Sequence, residues 1–133
     1  MDFSAVNWLA VTVATVLAFV IGGIWYGPLF GKTWQRLVGL SDEDIGKSHP
    51  GMVFGPAFLL TLVQAAALAT LLGPGAGLVS GALFGTAVGA TLVATGFGVN
   101  YLFARKPRGM WGIDAGYNVV QLAVMGAVLG AWP

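Results

Sequence analysis

Residues 78–103 read LVSGALFGTAVGATLVATGFGVNYLF, and this stretch decides the fold. It contains no Asp, Glu, Lys or Arg. An α-helix rises about 1.5 Å per residue and needs about 20 apolar residues to cross a hydrocarbon core about 30 Å thick. A backbone surrounded by lipid must satisfy its hydrogen bonds internally. The stretch therefore predicts a membrane-spanning helix.

Three further apolar runs have the same character, at about 5–29, 52–72 and 110–132. The 133-residue chain is 57% hydrophobic and 8% charged, with a mean hydropathy of +0.84. A soluble globular domain carries about 25% charged residues, so these charges are too few to make a polar exterior. We predict an all-α polytopic membrane protein, with four transmembrane helices in a single membrane domain covering residues 1–133.

The basic residues predict the topology. All six lie between spans one and two or between spans three and four, at Lys32, Arg36, Lys47, Arg105, Lys106 and Arg108. The positive-inside rule makes these loops, about 30–51 and 104–109, cytoplasmic and places both termini outside. Because no base precedes Lys32, we interpret the first run as a retained span rather than a signal peptide. The expected location is the plasma membrane or the bacterial inner membrane.

The first charged loop has helical order. Apolar residues recur at helical spacing at Phe30, Trp34, Leu37 and Val38. Polar residues occupy the other face, which predicts a short helix lying on the membrane interface. The sequence Ser41-Asp42-Glu43-Asp44 then has the form of a capping box and predicts a further helical turn.

The two halves of the chain resemble each other. VQAA at 63–66 in span two matches VQLA at 120–123 in span four. Spans one and three both end with a tyrosine, Tyr26 or Tyr101, followed by Leu-Phe and a base. This pattern predicts two tandem helical hairpins in the same orientation, related by an approximate two-fold axis along the membrane normal.

Small residues recur every four positions in two spans. In span three they are Gly77, Gly81, Gly85 and Gly89, and in span one they are Ala10, Ala14, Ala18 and Gly22. A helix face without bulky side chains lets another backbone approach closely, which is how helices associate in lipid. Two partners fit this glycine zipper: span one packing on span three within one chain, or a second copy of the chain in a homo-oligomer.

Polar side chains within the spans form a candidate pathway, made of Asp114, Asn118, Gln121, Asn100, Tyr101 and Gln64. Polar groups in lipid are costly and are expected to face the protein interior. One interpretation is a proton or solute relay in which Asp114 titrates. The other is that Asp114 pairs with Arg105 or Arg108 near the interface, while Asn118 and Gln121 make hydrogen bonds between helices.

Several classes of function are excluded by composition. The chain has no cysteine and one histidine, His49, which excludes disulfides, iron–sulfur clusters and a multi-histidine metal or haem site within one chain. No nucleophile stands near a base, no glycine-rich nucleotide motif follows a strand, and six dispersed bases do not form a nucleic-acid surface. We expect no enzyme activity, no cofactor, no metal and no nucleic-acid partner.

Longer motifs resemble a known family. NWLA at 7–10 and GIWYGPLFGKTW at 23–34 resemble the start of DUF1761 proteins, a family of membrane proteins without an established function. NYLF at 100–103, AGY at 115–117 and MGA at 125–127 resemble the family's second half. The resemblance covers nearly the whole chain. It implies a four-helix membrane protein and no particular activity.

The motif at the end of span one has a physical interpretation. Pro28 lacks an amide hydrogen and is expected to kink or end the helix, with Gly27 freeing the backbone beside it. We expect Trp25, Tyr26 and Trp34 to anchor this bend at the interface. The bend is either a defined exit from the membrane or a broken helix lining a polar vestibule.

Two functions therefore compete. The first is transport or channel activity for a small solute, ion or proton, carried out by a homo-oligomer with the polar side chains lining a path. The alternative is a non-catalytic accessory or scaffold protein that binds partner membrane proteins. An ionisable residue inside a span favours transport, and the sequence names no substrate.

Overall fold

The computed structural model describes residues 1–47 and 49–132. Four long helices dominate it, numbered here as spans one to four: Trp8–Leu29, Pro50–Leu72, Leu78–Phe103 and Arg108–Ala131. Each is long and apolar enough to cross a membrane, and the described residues contain no strand. The predicted fold class is confirmed: the chain is an all-α polytopic membrane protein of four spans arranged as two tandem hairpins.

Two short helices lie in the first charged loop. The loop helix, Gly31–Val38, ends at Gly39, whose φ of 83° is a left-handed conformation that suits glycine. The second short helix, Asp42–Gly46, begins with the predicted capping box. The Ser41 hydroxyl accepts the amide hydrogen of Asp44 at 3.1 Å, and the Asp44 carboxylate accepts that of Ser41 at 2.9 Å. The two helices and the capping box are therefore confirmed, and the location of the first helix on the membrane interface stays a prediction.

Span four is the centre of the bundle. Half of its most apolar stretch is buried within the protein, whereas 17% of the corresponding stretch of span two is buried. The other three spans all pack on span four, and span one also packs on span two. Spans two and three make few contacts with each other. The arrangement is therefore three helices around one rather than a closed ring of four.

The glycine ridge of span three faces span four. A Cβ atom at Gly81 would collide with the carbonyl of Gly126, and one at Gly85 with the carbonyl of Leu122. The Gly77 amide donates to the carbonyl of Gly130 at 2.9 Å. The prediction that this ridge packs on span one is wrong. Span four offers its own glycines four residues apart, and a short loop places it antiparallel to span three.

The small-residue face of span one has a different set of neighbours. Ala10, Ala14 and Ala18 are buried in the core that span one forms with spans two and four. At the end of this face, a Cβ atom at Gly22 would lie 3.2 Å from the Tyr117 hydroxyl oxygen. In the described part of the chain, no extended contact joins span one to span three.

Two π-helical turns interrupt the spans, at Trp25–Leu29 in span one and Gly89–Val93 in span three. The first contains Pro28, and the Phe30 amide donates to the Trp25 carbonyl at 2.8 Å. Span one thus continues through the proline in a wider turn and ends at Leu29, close to its predicted end. Such turns often occur at functional sites.

Candidate functional site

The carboxyl group of Asp114 lies inside the bundle. The residue is 7% exposed and follows the start of span four by six residues, about 9 Å along the helix axis. The Tyr26 hydroxyl donates to Oδ1 at 2.6 Å, and the Tyr101 hydroxyl donates to Oδ2 at 2.6 Å. We call Tyr26, Asp114 and Tyr101 the carboxyl clasp. It ties spans one, three and four together through a single side chain.

In the part of the chain that the structure describes, no cation pairs with Asp114. The one ion pair among residues 1–47 and 49–132 joins Lys47 to Glu43 at 3.8 Å in the first charged loop, where both side chains are exposed. The predicted pairing of Asp114 with Arg105 or Arg108 is therefore wrong. Both arginines are exposed. Six residues at about 100° per residue also place Arg108 on a different helix face from Asp114.

A chain of carboxamides continues from the clasp towards the middle of the bundle. Asn118 Nδ2 donates to the Asp114 carbonyl at 2.8 Å. Gln121 Nε2 donates to Asn118 Oδ1 and to Gln64 Oε1, both at 3.1 Å. From Asp114 to Gln121 the chain covers seven residues, about 10 Å of span four. The Gln121 Oε1 atom is buried and has no hydrogen-bond partner within the described part of the chain.

The polar chain ends part-way through the bundle. Beyond Gln121, towards the end that carries both termini, the core is apolar apart from Thr15, whose hydroxyl donates to the Val11 carbonyl of its own helix. Met125 and Val11 are completely buried there, together with Leu129 and Ala10. The polar groups therefore lie between the middle of the bundle and the end that carries the charged loops.

Aromatic rings enclose the clasp. The Tyr26 ring meets the Trp34 ring edge-on, with centroids 5.7 Å apart, and the Tyr117 ring at 5.3 Å. The Trp25 indole donates to the Ile113 carbonyl at 2.9 Å, and the Tyr117 hydroxyl donates to the Ala18 carbonyl at 3.0 Å. Trp25, Tyr26 and Trp34 thus pack inward on the site, beyond the interfacial anchoring that was predicted for them.

The predicted pathway residues divide into two groups. Asp114, Asn118, Gln121, Gln64 and Tyr101 come together in one connected set of hydrogen bonds. The expectation that Asn100 joins them is wrong, because Asn100 is exposed. One turn of helix holds about 3.6 residues, so its neighbour Tyr101 can face inward while Asn100 faces outward.

Tyr26 is the site residue that was predicted as an interfacial anchor and not as part of the polar pathway. The repeat pattern carried a signal for it, because a tyrosine stands before Leu-Phe near the end of both span one and span three. Both tyrosines bind the same carboxyl group. Gln64 and Gln121 occupy equivalent positions in the shared VQ motif, and they bind each other. Equivalent residues therefore meet where the two hairpins join, as parallel repeats predict.

The clasp can hold its carboxyl group in either protonation state. An ionised carboxylate only accepts hydrogen bonds, and both tyrosine hydroxyls can donate to it. A protonated carboxyl donates one hydrogen bond, and a tyrosine hydroxyl can rotate to accept it. Gain or loss of one proton thus leaves every oxygen of the clasp with a partner.

The sequence profile of a known family matches residues 9–130, a range that includes both hairpins and the whole clasp. The chain belongs to the DUF1761 family. The family is described as proteins of unknown function. No curated protein and no solved structure matches the chain. Membership in DUF1761 confirms the resemblance noted in the sequence, and any activity has to be argued from the site itself.

Proposed function

We propose that this DUF1761 protein carries protons across the membrane, with Asp114 as the group that binds them. The observation that supports this role is the carboxyl clasp. It holds the acid that lies within a span, it contains no cation, and it accommodates both protonation states. An ionisable residue in such a place is by default a functional one.

The carboxamide chain extends this proposal. Asn118, Gln121 and Gln64 bring hydrogen-bonding groups from Asp114 to the contact between the two repeats, which is where carriers built from repeats bind their substrates. We propose a homo-oligomer as the working form, because three helices packed around a central one enclose little space within one chain. The outward faces of spans two and three would then meet a second copy.

The charged loops suggest the orientation of the carrier. We propose that both loops are cytoplasmic and both termini outside, because all six bases lie in the loops. The chain has no native cysteine, so single cysteines can report topology. We expect an impermeant thiol reagent on intact cells to label Asp2→Cys and to leave Lys106→Cys unlabelled. Preferential labelling at position 106 would reverse the orientation.

An accessory role is the second candidate, and one observation favours it. The polar groups of the site bind one another, and the carboxamide hydrogen bonds join spans two and four as a structural contact would. Span two also exposes large apolar side chains along its length, including Leu59, Leu60 and Val63. A partner membrane protein would dock on such a face and need no titrating group.

Proton flux into proteoliposomes tests the carrier proposal. The wild type, Asp114→Asn and Glu43→Gln are reconstituted with an internal pH dye, and a pH gradient is applied with the membrane potential clamped. Glu43→Gln is the matched control, because it makes the same change of acid to amide at an exposed position. We expect proton entry with the wild type and the control, and at least about a tenfold loss with Asp114→Asn.

Two outcomes would contradict the proposal in different ways. Wild-type flux no faster than that of empty liposomes would favour the accessory role. Equal flux from the wild type and Asp114→Asn would leave transport in place and remove Asp114 from it. A carboxyl infrared band that shifts with pH and disappears in Asp114→Asn would show proton binding without any flux measurement.

A further inference from the structure

The loop helix, Gly31–Val38, lies against the carboxyl clasp at the end of the bundle that carries the charged loops. Its Trp34 ring packs edge-on against the Tyr26 ring, and Tyr26 binds Asp114. Its Leu37 packs on the start of span four, where Cδ1 would lie 3.1 Å from a Cβ atom at Gly109. The docked loop helix therefore covers the clasp on this side.

The docked position leaves one polar group unsatisfied. The Nε1 atom of Trp34 is buried and has no hydrogen-bond partner among residues 1–47 and 49–132. An indole N–H can only donate, so it needs an acceptor that this position does not provide. A buried donor without an acceptor destabilises the arrangement that buries it. Water or a lipid headgroup would supply that acceptor if the loop helix moved away from span four.

The loop helix also has the amphipathic composition of a helix that is stable on a membrane surface, away from span four. Its exposed face carries Lys32 and Arg36, whereas Trp34 and Leu37 face the bundle. An amphipathic helix with basic residues on its polar face is stable at a membrane surface. Gly39 ends it in a left-handed conformation, with no heavy atom near the position of a Cβ. Movement of the helix would break its contacts with the end of span one and the start of span four, which include those of Trp34 and Leu37.

We infer that Trp34 controls the access of water and protons to Asp114 from the end with the charged loops. With the loop helix docked, Trp34 covers Tyr26 and the clasp is closed. With the helix lifted, the indole N–H finds an acceptor and the clasp opens to water. Trp34 is a positioning residue here, because it acts on Asp114 through Tyr26. The inference rests on the proposed function, in which Asp114 binds a proton. It concerns only the route by which water and protons reach Asp114.

Carboxyl labelling measures this access directly. A water-soluble carbodiimide with glycinamide converts carboxyl groups that water reaches into amides, and mass spectrometry gives the modified fraction at each position. Exposed Glu43 is the reference within the same molecule. We expect Trp34→Ala to raise the ratio of Asp114 labelling to Glu43 labelling about tenfold. The control Trp8→Phe, at an exposed site near the opposite end, leaves the ratio unchanged.

The unpaired N–H makes a sharper test possible. Benzothienylalanine at position 34 keeps the shape of the indole but replaces the N–H with sulfur. Because the docked helix then buries no unsatisfied donor, we expect labelling of Asp114 to fall about fivefold below the wild type. A purely structural role for the ring predicts no change. A ratio equal to or above that of the wild type would overturn the inference.

A disulfide between the loop helix and span four provides an independent test. Leu37→Cys with Gly109→Cys places two thiols within reach in a protein that has no other cysteine. We expect oxidation to suppress Asp114 labelling about tenfold, and a reductant to restore it. Unchanged labelling in the oxidised protein would place the access route elsewhere. None of these readouts depends on flux, so a failure of the transport proposal is distinguished from a failure of this one.

Discussion

Spans two and four are equivalent helices of the two hairpins, but they differ in burial and in the polar side chains they carry. Their shared VQ motif pairs Gln64 with Gln121, 57 residues apart. At the same offset, Thr61 corresponds to Asn118 and Ala57 to Asp114. The Thr61 hydroxyl donates to the Ala57 carbonyl at 2.8 Å, just as Asn118 donates to the carbonyl of Asp114 at 2.8 Å. The local hydrogen bond is kept, whereas the carboxyl group is found in span four alone.

The difference follows from burial. Span four is surrounded by the other three spans, so its polar side chains find partners on each of them. Span two packs mainly along one face, and a carboxyl group at position 57 would meet no clasp there. A repeat can thus preserve its backbone interactions while only the copy at the centre of the bundle acquires an ionisable group.

The largest expected effect separates the packed glycines from the exposed ones. Gly85→Leu places a side chain where the carbonyl of Leu122 lies, so we expect the free energy of unfolding to fall by about 3 kcal/mol or more, or the protein not to fold. Gly55→Leu in span two is the matched control, since no heavy atom lies near its Cβ position. We expect the control to change stability by less than about 0.5 kcal/mol.

Detergent unfolding followed by circular dichroism measures both glycine variants. Equal stability of Gly85→Leu and Gly55→Leu would mean that span three does not lie against span four, and the central position of span four would then be in question.

Loss of a hydrogen bond in the carboxyl clasp is expected to have the second-largest effect on stability. Tyr26→Phe and Tyr101→Phe each remove one hydrogen bond to Asp114, and each should lower the free energy of unfolding by about 1–3 kcal/mol. Tyr117→Phe is the matched control, because its hydroxyl binds a neutral carbonyl and should cost about 1 kcal/mol. Thermal unfolding in the same detergent ranks the three variants. If Tyr117→Phe lowered the free energy of unfolding more than both clasp variants, the hydrogen bonds from Tyr26 and Tyr101 to Asp114 would not stabilise the protein.

The glutamine pair tests whether the two equivalent spans interact. Gln64→Leu leaves Gln121 with one hydrogen bond fewer, and Gln121→Leu does the reverse for Gln64. In a double-mutant cycle, we expect a coupling free energy of about 1 kcal/mol, within the range measured for hydrogen bonds between membrane helices. The cycle uses the same unfolding assay. Additive effects of the two changes would indicate that Gln64 and Gln121 do not interact.

The smallest effect lies in the charged loop and contrasts an exposed acid with the buried one. Hydrogen bonds from the backbone amide and the hydroxyl of Ser41 hold the pKa of Asp44 below its ordinary value. A lowered pKa means that the stabilisation by this carboxylate is complete above the unfolded pKa of about 3.9 and is lost as pH falls through the folded pKa. We expect Ser41→Ala to move the NMR titration midpoint of Asp44 part of the way back to the ordinary range, because the hydroxyl is lost while the backbone amide still donates. An unchanged titration midpoint would contradict the capping box.

The sequence predicted the parts of this fold that depend on local pattern. Four spans, the loop helix and the Ser41 capping box follow from apolar length, helical spacing and capping chemistry. The partner of the glycine ridge could not be predicted, because span one and span four both offer small residues at suitable spacing. Gly126 and Gly130 belonged to a span that had been considered for its polar residues.

The sequence could predict which polar residues form the candidate site, but not which residues bind each other. Asp114, Asn118 and Gln121 share one face of a helix, so their proximity follows from spacing alone. Whether Asp114 meets an arginine or a tyrosine depends on which helices surround span four, and sequence pattern does not contain that information. The π-helical turn at Trp25–Leu29, from which Tyr26 reaches Asp114, was likewise not expected from a proline motif.

The central position of span four also bears on how the protein is made. Span four leaves the ribosome after the other three, and those three have few contacts among themselves apart from the hairpin of spans one and two. Before span four is inserted, the glycine face of span three is exposed to lipid, and Tyr26 and Tyr101 have no carboxyl group to bind. Completion of the fold is therefore a single late event, in which the last helix to enter the membrane is inserted between partners that are already there.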